Sequence, residues 1–383
     1  MLLTSKHLES QEDQHLASYA CRSKNSKGRS YPEEEAEFST AFQKDRDRIL
    51  HSKAFELLAS KSLIFHSFTC ENSRTLLAHS IEVAQIARSA ARALGANQDL
   101  VEAICLAQNL GYCPFGQLGE ATLSRIMRDF GGYEHIKQSL RILTTLEHQH
   151  PDFPGLNLTW EVREGIAKYQ TEIIGTSPEE YNPKLRGHLE SQISISANEL
   201  ANLVFDLSDG LHYGFININQ IDGITLWEIL IEGFRTESLI YDEIVFNQII
   251  NRLINLEMVD LINSTYNRLR ESNVQSVEEL QSLPYSVVSF SEDMHRRNRQ
   301  LKDFMYIYYF RHPNMVGMDV SINKIIEDIF KSYLREPGIL PMNVQSQIEV
   351  IGLERAICDY IASMTDQFVI AEHRRLLYPG VVP

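Results

Sequence analysis

Apolar residues recur three and four positions apart over most of the chain, the spacing that lines up one face of an α-helix. Val83, Ile86, Ala87, Ala90 and Leu94 fall on one such face, and the step from Leu94 to Gly95 predicts that helix's end. Asp99 is a candidate cap for the next segment, LVEAICLAQNL. Its Leu100, Ala103, Ile104 and Ala107 form a second stripe that should stop at Gly111, with Pro114 beyond. Helical patterns continue around 134–147, 160–175, 186–213, 226–236, 239–270, 276–282, 291–311, 319–335 and 343–378. Period-two alternation is scarce, its best instance being a short candidate strand at 285–290. The pattern predicts an all-α (mainly α) protein.

Residues 1–37 are polar and end in the charge run Glu33, Glu34, Glu35, so they are expected to form a flexible N-terminal arm, with the ordered body starting near Phe38. Between 38 and 378 no stretch is rich enough in Pro, Gly or Ser to divide the chain, which predicts a single helical domain. The segment 150–185, with Pro151, Pro154, Gly155, Pro178 and Pro183, reads either as an excursion beside a pocket or as a surface loop.

Composition narrows the setting more than the chemistry. In 383 residues, 36 basic and 51 acidic side chains give a formal charge of -15, which disfavours nucleic acid and anionic membrane as partners. No apolar stretch is long enough for a signal peptide or a membrane span, so a soluble, cytoplasmic protein is expected. Cys21, Cys70, Cys105, Cys113 and Cys358 show no CxxC spacing, and neither a zinc site nor a disulfide framework is indicated.

No phosphate loop, GxSxG or HExxH is present. The residues left to weigh are His79, Glu120, His135, Asp206 and Asp209. A histidine near a helix start is more often packed than ligating, and a pair of aspartates three apart is more often solvated than catalytic.

Several longer blocks carry a resemblance. FQKDRDRILHSKAFELL (42–58), AHSIEVAQIARSAA (78–91), CPFGQLGE (113–120), GGYEHIKQSLRIL (131–143), GLNLTWEVREGIAK (155–168), LVFDLSDGL (203–211) and RAICDYIASMTD (355–366) occur in one order along the chain. Together they resemble the HD-domain deoxynucleoside triphosphate triphosphohydrolase (dGTPase-like) family. The resemblance implies that family's helical fold, with a degenerate HD core at about 74–215 and a C-terminal helical part at about 216–378. It also implies hydrolysis of a deoxynucleoside triphosphate (dNTP) to nucleoside and triphosphate, at a divalent metal held by a histidine, a His-Asp pair and a later Asp.

Carried over position by position, that chemistry is mostly missing. His79 matches the first ligand, but the His-Asp pair falls on Gln108 and Asn109, and the later Asp on Asn198. Tyr112, Gln117 and Tyr169 stand where the family has histidines, and Leu76 where a phosphate-contacting arginine is expected. Glu120 and His135 match the family's catalytic positions. Arg46, Arg74 and Lys168 are the candidate nucleotide contacts, with Lys44 and Arg48 beside them. Two Asp-to-Asn changes remove the charge that repays dehydration of a divalent ion, and Gln108 removes an imidazole.

The expectation is therefore a pseudoenzyme that holds no cofactor. It would act as a homo-oligomer, as a hetero-oligomer with an active paralogue, or as a dNTP-binding homologue that does not cleave. The alternative is an active enzyme in which Asp206, Asp209, Glu120, Glu134 and His135 rebuild a Mg²⁺ or Mn²⁺ site around His79.

Overall fold

The computed structural model describes residues 2–64, 74–174, 179–234 and 243–377. Cys70, Pro178 and the first residues of the helix expected from 239 lie outside the described residues. The helices run α1 (Ser5–His15), α2 (Ala41–Leu50), α3 (Lys53–Leu57), α4 (Leu76–Leu94), α5 (Gln98–Gln108), α6 (Gly116–Ile126), α7 (His135–Arg141), α8 (Trp160–Ile174) and α9 (Leu189–His212). They continue as α10 (Thr225–Ile231), α11 (Glu243–Ser272), α12 (Val277–Gln281), α13 (Glu292–Met305), α14 (Pro313–Arg335), α15 (Met342–Gln345), α16 (Ile348–Ile351), α17 (Leu353–Ala362) and α18 (Asp366–Leu377). Among the described residues no strand forms, only isolated bridges such as Ile64 with Gly116. The architecture is all-α.

Local chemistry sets the ends of the two helices that carry most of the candidate residues. Thr75 caps α4 by accepting the Ala78 amide, and Gly95 ends it in the left-handed region at φ 69°. Asn97, not Asp99, caps α5: its side chain accepts the amides of Asp99 and Leu100, while Asp99 sits in the first turn, where the helix dipole favours an acid. The helix stops at Gln108, short of Gly111, which lies at a backbone crossing. A Cβ there would meet the His135 carbonyl at 2.1 Å and the Ser139 nitrogen at 2.3 Å.

Helix α4 packs on α5 and α9, and α5 also meets α2 and α8. Val83, Ala87, Leu100, Ile104, Val162, Ile166, Ile193 and Ala197 fill the first core between them. A second core joins α6 to α14, α17 and α18 through Phe115, Leu123, Ile326, Ile329 and Ile357. Two buried polar groups tie these regions together. Lys61 donates to the carbonyls of Tyr112 and Ala362, each at 2.7 Å. Asp366 accepts from the Ser62 amide, the Ser62 hydroxyl and the Phe115 amide at 2.9, 2.6 and 2.8 Å.

The structure corrects three further sequence expectations. Residues 5–33 are not a free arm. Ala20, Cys21 and Ser23 are buried, Glu12 accepts from Ser23 and Asn97, and Arg29 pairs with the buried Asp45 and donates to the Asn157 carbonyl. Helix α1 buries no residue, so its attachment is polar and leaves no trace in hydrophobic periodicity. The strand expected at 285–290 does not form, and the segment bends at Tyr285 and Val287. The Val287 and Val288 amides bond to the side-chain oxygen of Gln192 at 2.8 and 3.3 Å, which does the work of a sheet neighbour. The helix expected over 343–378 is broken into α15 to α18, with Gly352 at φ 86° between two of them.

Candidate functional site

His79 lies at the start of α4, Gln108 and Asn109 at the C-terminal end of α5, and Asn198 in the middle of α9; all four are buried. The packing of α4 against α5 and α9 brings these positions to one region. The His79 Nε2 faces the side-chain oxygen of Asn198 at 3.2 Å, and the Asn198 amide nitrogen donates to the Tyr169 hydroxyl at 2.9 Å. An amide oxygen only accepts, so Nε2 carries the proton. Burial pulls the His79 pKa down to about 4, with repulsion from Arg74 adding to it and the Asn198 bond opposing it; the ring is neutral. The Asn109 amide donates to the Ser80 hydroxyl at 3.0 Å. Among the described residues, the His79 Nδ1 and both polar atoms of the Gln108 side chain have no hydrogen-bond partner.

This donor set does not fit the divalent ion that the resemblance implies. It offers one imidazole, with Nε2–H already engaged, and three neutral amides, with no carboxylate to balance the ion's charge. The carboxylates proposed as substitutes do not gather either: among the described residues no trio of His, Cys, Asp or Glu ligand atoms forms around His79. Asp209 is drawn to Arg74 at 3.6 Å, and Glu134 pairs with Lys137 at 2.6 Å.

Glu120 and His135 do come together. Both carboxylate oxygens reach the His135 Nδ1, at 2.9 and 3.0 Å, and one also accepts the His135 amide at 2.7 Å. Although burial opposes it, the His135 charge and hydrogen bonds hold the Glu120 carboxyl below its ordinary pKa. Tyr112 stacks on the His135 ring with centroids 3.9 Å apart. The tyrosines at two positions where the resemblance implies histidines thus have structural work: Tyr112 covers His135, and Tyr169 closes the hydrogen-bond chain from His79. Gln117 is exposed, and Leu76 is fully buried in the core.

The cations do not assemble into a phosphate site. Arg46 binds Asp47, Asp99 and Glu102 near the start of α5, roughly 14 Å along that helix from Gln108 at 1.5 Å per residue. Lys168 is fully buried, and its ammonium donates to the carbonyls of Asn182 and Leu185 at 2.7 Å each. Lys44 and Arg48 both contact Glu33. Arg74 alone stays beside His79, but it is held by Glu82 at 2.6 Å and lies 4.2 Å over the Phe205 ring.

A cavity of about 620 Å³ opens next to this centre. Tyr169, Asp206, Lys302, Met305, Tyr306 and Phe310 are among its lining residues. Burial, with repulsion from Asp209, pushes the Asp206 pKa up to about 8. Lys302 pairs with Glu199 on the same wall. Sequence reading singled out Asp206 and expected a helix over 291–311, but did not mark that helix, α13, as a wall of the pocket. The signal available was its apolar spacing, Met294, Leu301 and Met305, running into the aromatic run YIYYF.

Two family models match the chain: the HD domain over residues 76–212 and the phosphohydrolase-associated domain over 288–375. The chain is 40% identical to a deoxyguanosinetriphosphate triphosphohydrolase-like protein of Geobacter metallireducens, over 97% of each. It is likewise 40% identical to one of Geobacter sulfurreducens over 99% of each, and 36% identical to one of Leptospira interrogans over 96% of this chain and 98% of the relative.

Proposed function

The chain belongs to the deoxyguanosinetriphosphate triphosphohydrolase-like family of HD-domain proteins, and from that membership we propose that it is a member that no longer hydrolyses nucleotides and acts instead as a regulatory or structural subunit. The observation that carries this reading is the hydrogen-bond chain from His79 through Asn198 to Tyr169. It joins the single remaining ligand position to neutral groups where the family's chemistry needs anionic ones. A metal at such a centre supplies several kcal/mol of charge stabilisation in the transition state, and each ~1.4 kcal/mol lost costs about tenfold in rate. With the metal gone, turnover falls to background.

The subunit would assemble with copies of itself or with an active paralogue, whose hydrolysis it would modulate, and the 620 Å³ cavity beside the centre is where a dNTP would bind uncleaved. Four free, buried cysteines among the described residues suit a reducing, cytoplasmic setting.

The test is hydrolysis of a panel of dNTPs with Mg²⁺, Mn²⁺ or Co²⁺, alone and mixed with an active relative. The expected result is no turnover alone and a changed rate for the relative. Turnover by the chain alone that His79→Ala abolishes, or bound metal that the same variant loses, overturns the proposal.

A further inference from the structure

At the N-terminal end of α9, roughly 12 Å along the helix from Asn198, Cys21, His188 and Glu190 meet, all of them buried. The thiol sulfur, a ring nitrogen and a carboxylate oxygen lie within 4.8 Å of one another. This cluster shares no residue with the HD centre. Sequence spacing could not reveal it, because Cys21 and Glu190 stand 169 positions apart.

The hydrogen bonds around His188 single out one contact. Its Nε2 lies 3.1 Å from the Glu161 carbonyl, which only accepts, so Nε2 carries a proton. Its Nδ1 caps α9 by accepting the Ser191 amide at 3.2 Å, which requires the ring's lone pair. Yet the same Nδ1 lies 3.1 Å from Oε2 of Glu190. A lone pair facing a carboxylate oxygen repels, so the contact calls for a proton, as in a charged ring that donates to Oε2, or for a cation between the two. The other oxygen, Oε1, is fixed by the amides of Cys21 and Asn97 at 3.1 and 2.9 Å, so the backbone itself directs Oε2 at the ring.

We propose that Cys21, His188 and Glu190 form a binding site for a divalent transition ion of the zinc class. Sulfur, imidazole and carboxylate are zinc's own donor set, and a thiolate selects Zn²⁺, Co²⁺ or Fe²⁺ over Mg²⁺ and Ca²⁺. The Nε2–H bond to a backbone carbonyl is the arrangement that fixes a ligating histidine and leaves its other nitrogen for the metal. Metal bonds of about 2.0–2.3 Å place tetrahedral donors about 3.3–3.8 Å apart, so the cluster closes by an ångström or so on binding, and Nδ1 exchanges the Ser191 amide for the ion. The thiol releases its proton to solvent, and thiolate plus carboxylate balance the ion's two charges. A cavity of about 220 Å³, lined by Cys21, His188, Trp160 and Glu164 among others, adjoins the site and leaves the fourth coordination position open to water or a small ligand. The bound ion fastens the segment around Cys21 to the start of α9.

Co²⁺ titration of the chelator-stripped, reduced chain tests this. One equivalent is expected to produce thiolate-to-cobalt charge transfer in the near ultraviolet with tetrahedral bands in the visible, and Zn²⁺ should displace both. Cys21→Ser should weaken binding at least tenfold and abolish the sulfur band, while His79→Ala leaves the titration unchanged. If Cys21→Ser does not give the native helical circular dichroism, His188→Gln takes its place, with the same loss expected. Cobalt binding without a sulfur band, a band that survives the variant, or one that vanishes in His79→Ala overturns the proposal.

Discussion

Replacing Asp206 by asparagine should stabilise the protein, and by more as pH rises. Burial and the neighbouring Asp209 raise the Asp206 carboxyl from its ordinary 3.8 to about 8. A raised carboxyl binds its proton more tightly folded than unfolded, so its contribution is fully present below pH 4 and is lost as pH rises through about 8. At 1.36 kcal/mol per pH unit, that shift is worth at most about 5 kcal/mol at pH 8. The carboxyl borders the 620 Å³ cavity, whose water screens it, and the discounted figure is about 2 kcal/mol. Asp206→Asn exchanges a protonated carboxyl for an amide of nearly the same shape. Its melting temperature should therefore match the parent's near pH 4 and exceed it by about 2–4 °C at pH 8. Because both proteins share every other titrating group, the difference between paired melts across pH 4–8 isolates this one. A difference that stays flat with pH, or a variant less stable at pH 8, refutes the account of Asp206.

Arg29→Ala strands the fully buried Asp45 and should cost about 3–5 kcal/mol in urea unfolding; a loss below about 1 kcal/mol would mean that the N-terminal segment is not docked as described. Gly111→Ala drives a methyl to 2.1 Å from the His135 carbonyl, and expression should yield little folded protein; an unchanged melting temperature would contradict that crossing. Asn198→Asp puts an anion 3.2 Å from the His79 Nε2, which should raise that imidazole's pKa from about 4 to roughly 6 or higher by NMR titration. A ring that stays neutral down to pH 5 would show that the two side chains are not in contact.

The helical fold was legible because burial writes itself into spacing: the Val83–Leu94 and Leu100–Ala107 stripes are the faces that α4 and α5 turn to the core. Polar attachments left no such mark. The docking of residues 5–33 rests on Glu12, Arg29 and Cys21, whose partners lie from 11 to 169 positions away, and no local pattern encodes them. Position-by-position resemblance pointed to His79, Gln108, Asn109 and Asn198, but it did not reveal that Tyr169 and Ser80 would occupy the amides of Asn198 and Asn109. Arg46 and Lys168 misled for the opposite reason. A cation's charge is visible in sequence, whereas the acid or carbonyl that already holds it is visible only in three dimensions.

Lys61 imposes an order on how the chain is made. Its carbonyl partners belong to residues 51 and 301 positions downstream, and the neighbouring Ser62 waits on Asp366, 304 positions on. On the ribosome, the early helices emerge with this ammonium still seeking water, and the cleft around it cannot close until Ala362 and Asp366 have been synthesised. A message truncated shortly before that point would yield a protein that keeps its first core but leaves a wet, charged seam where the second should dock.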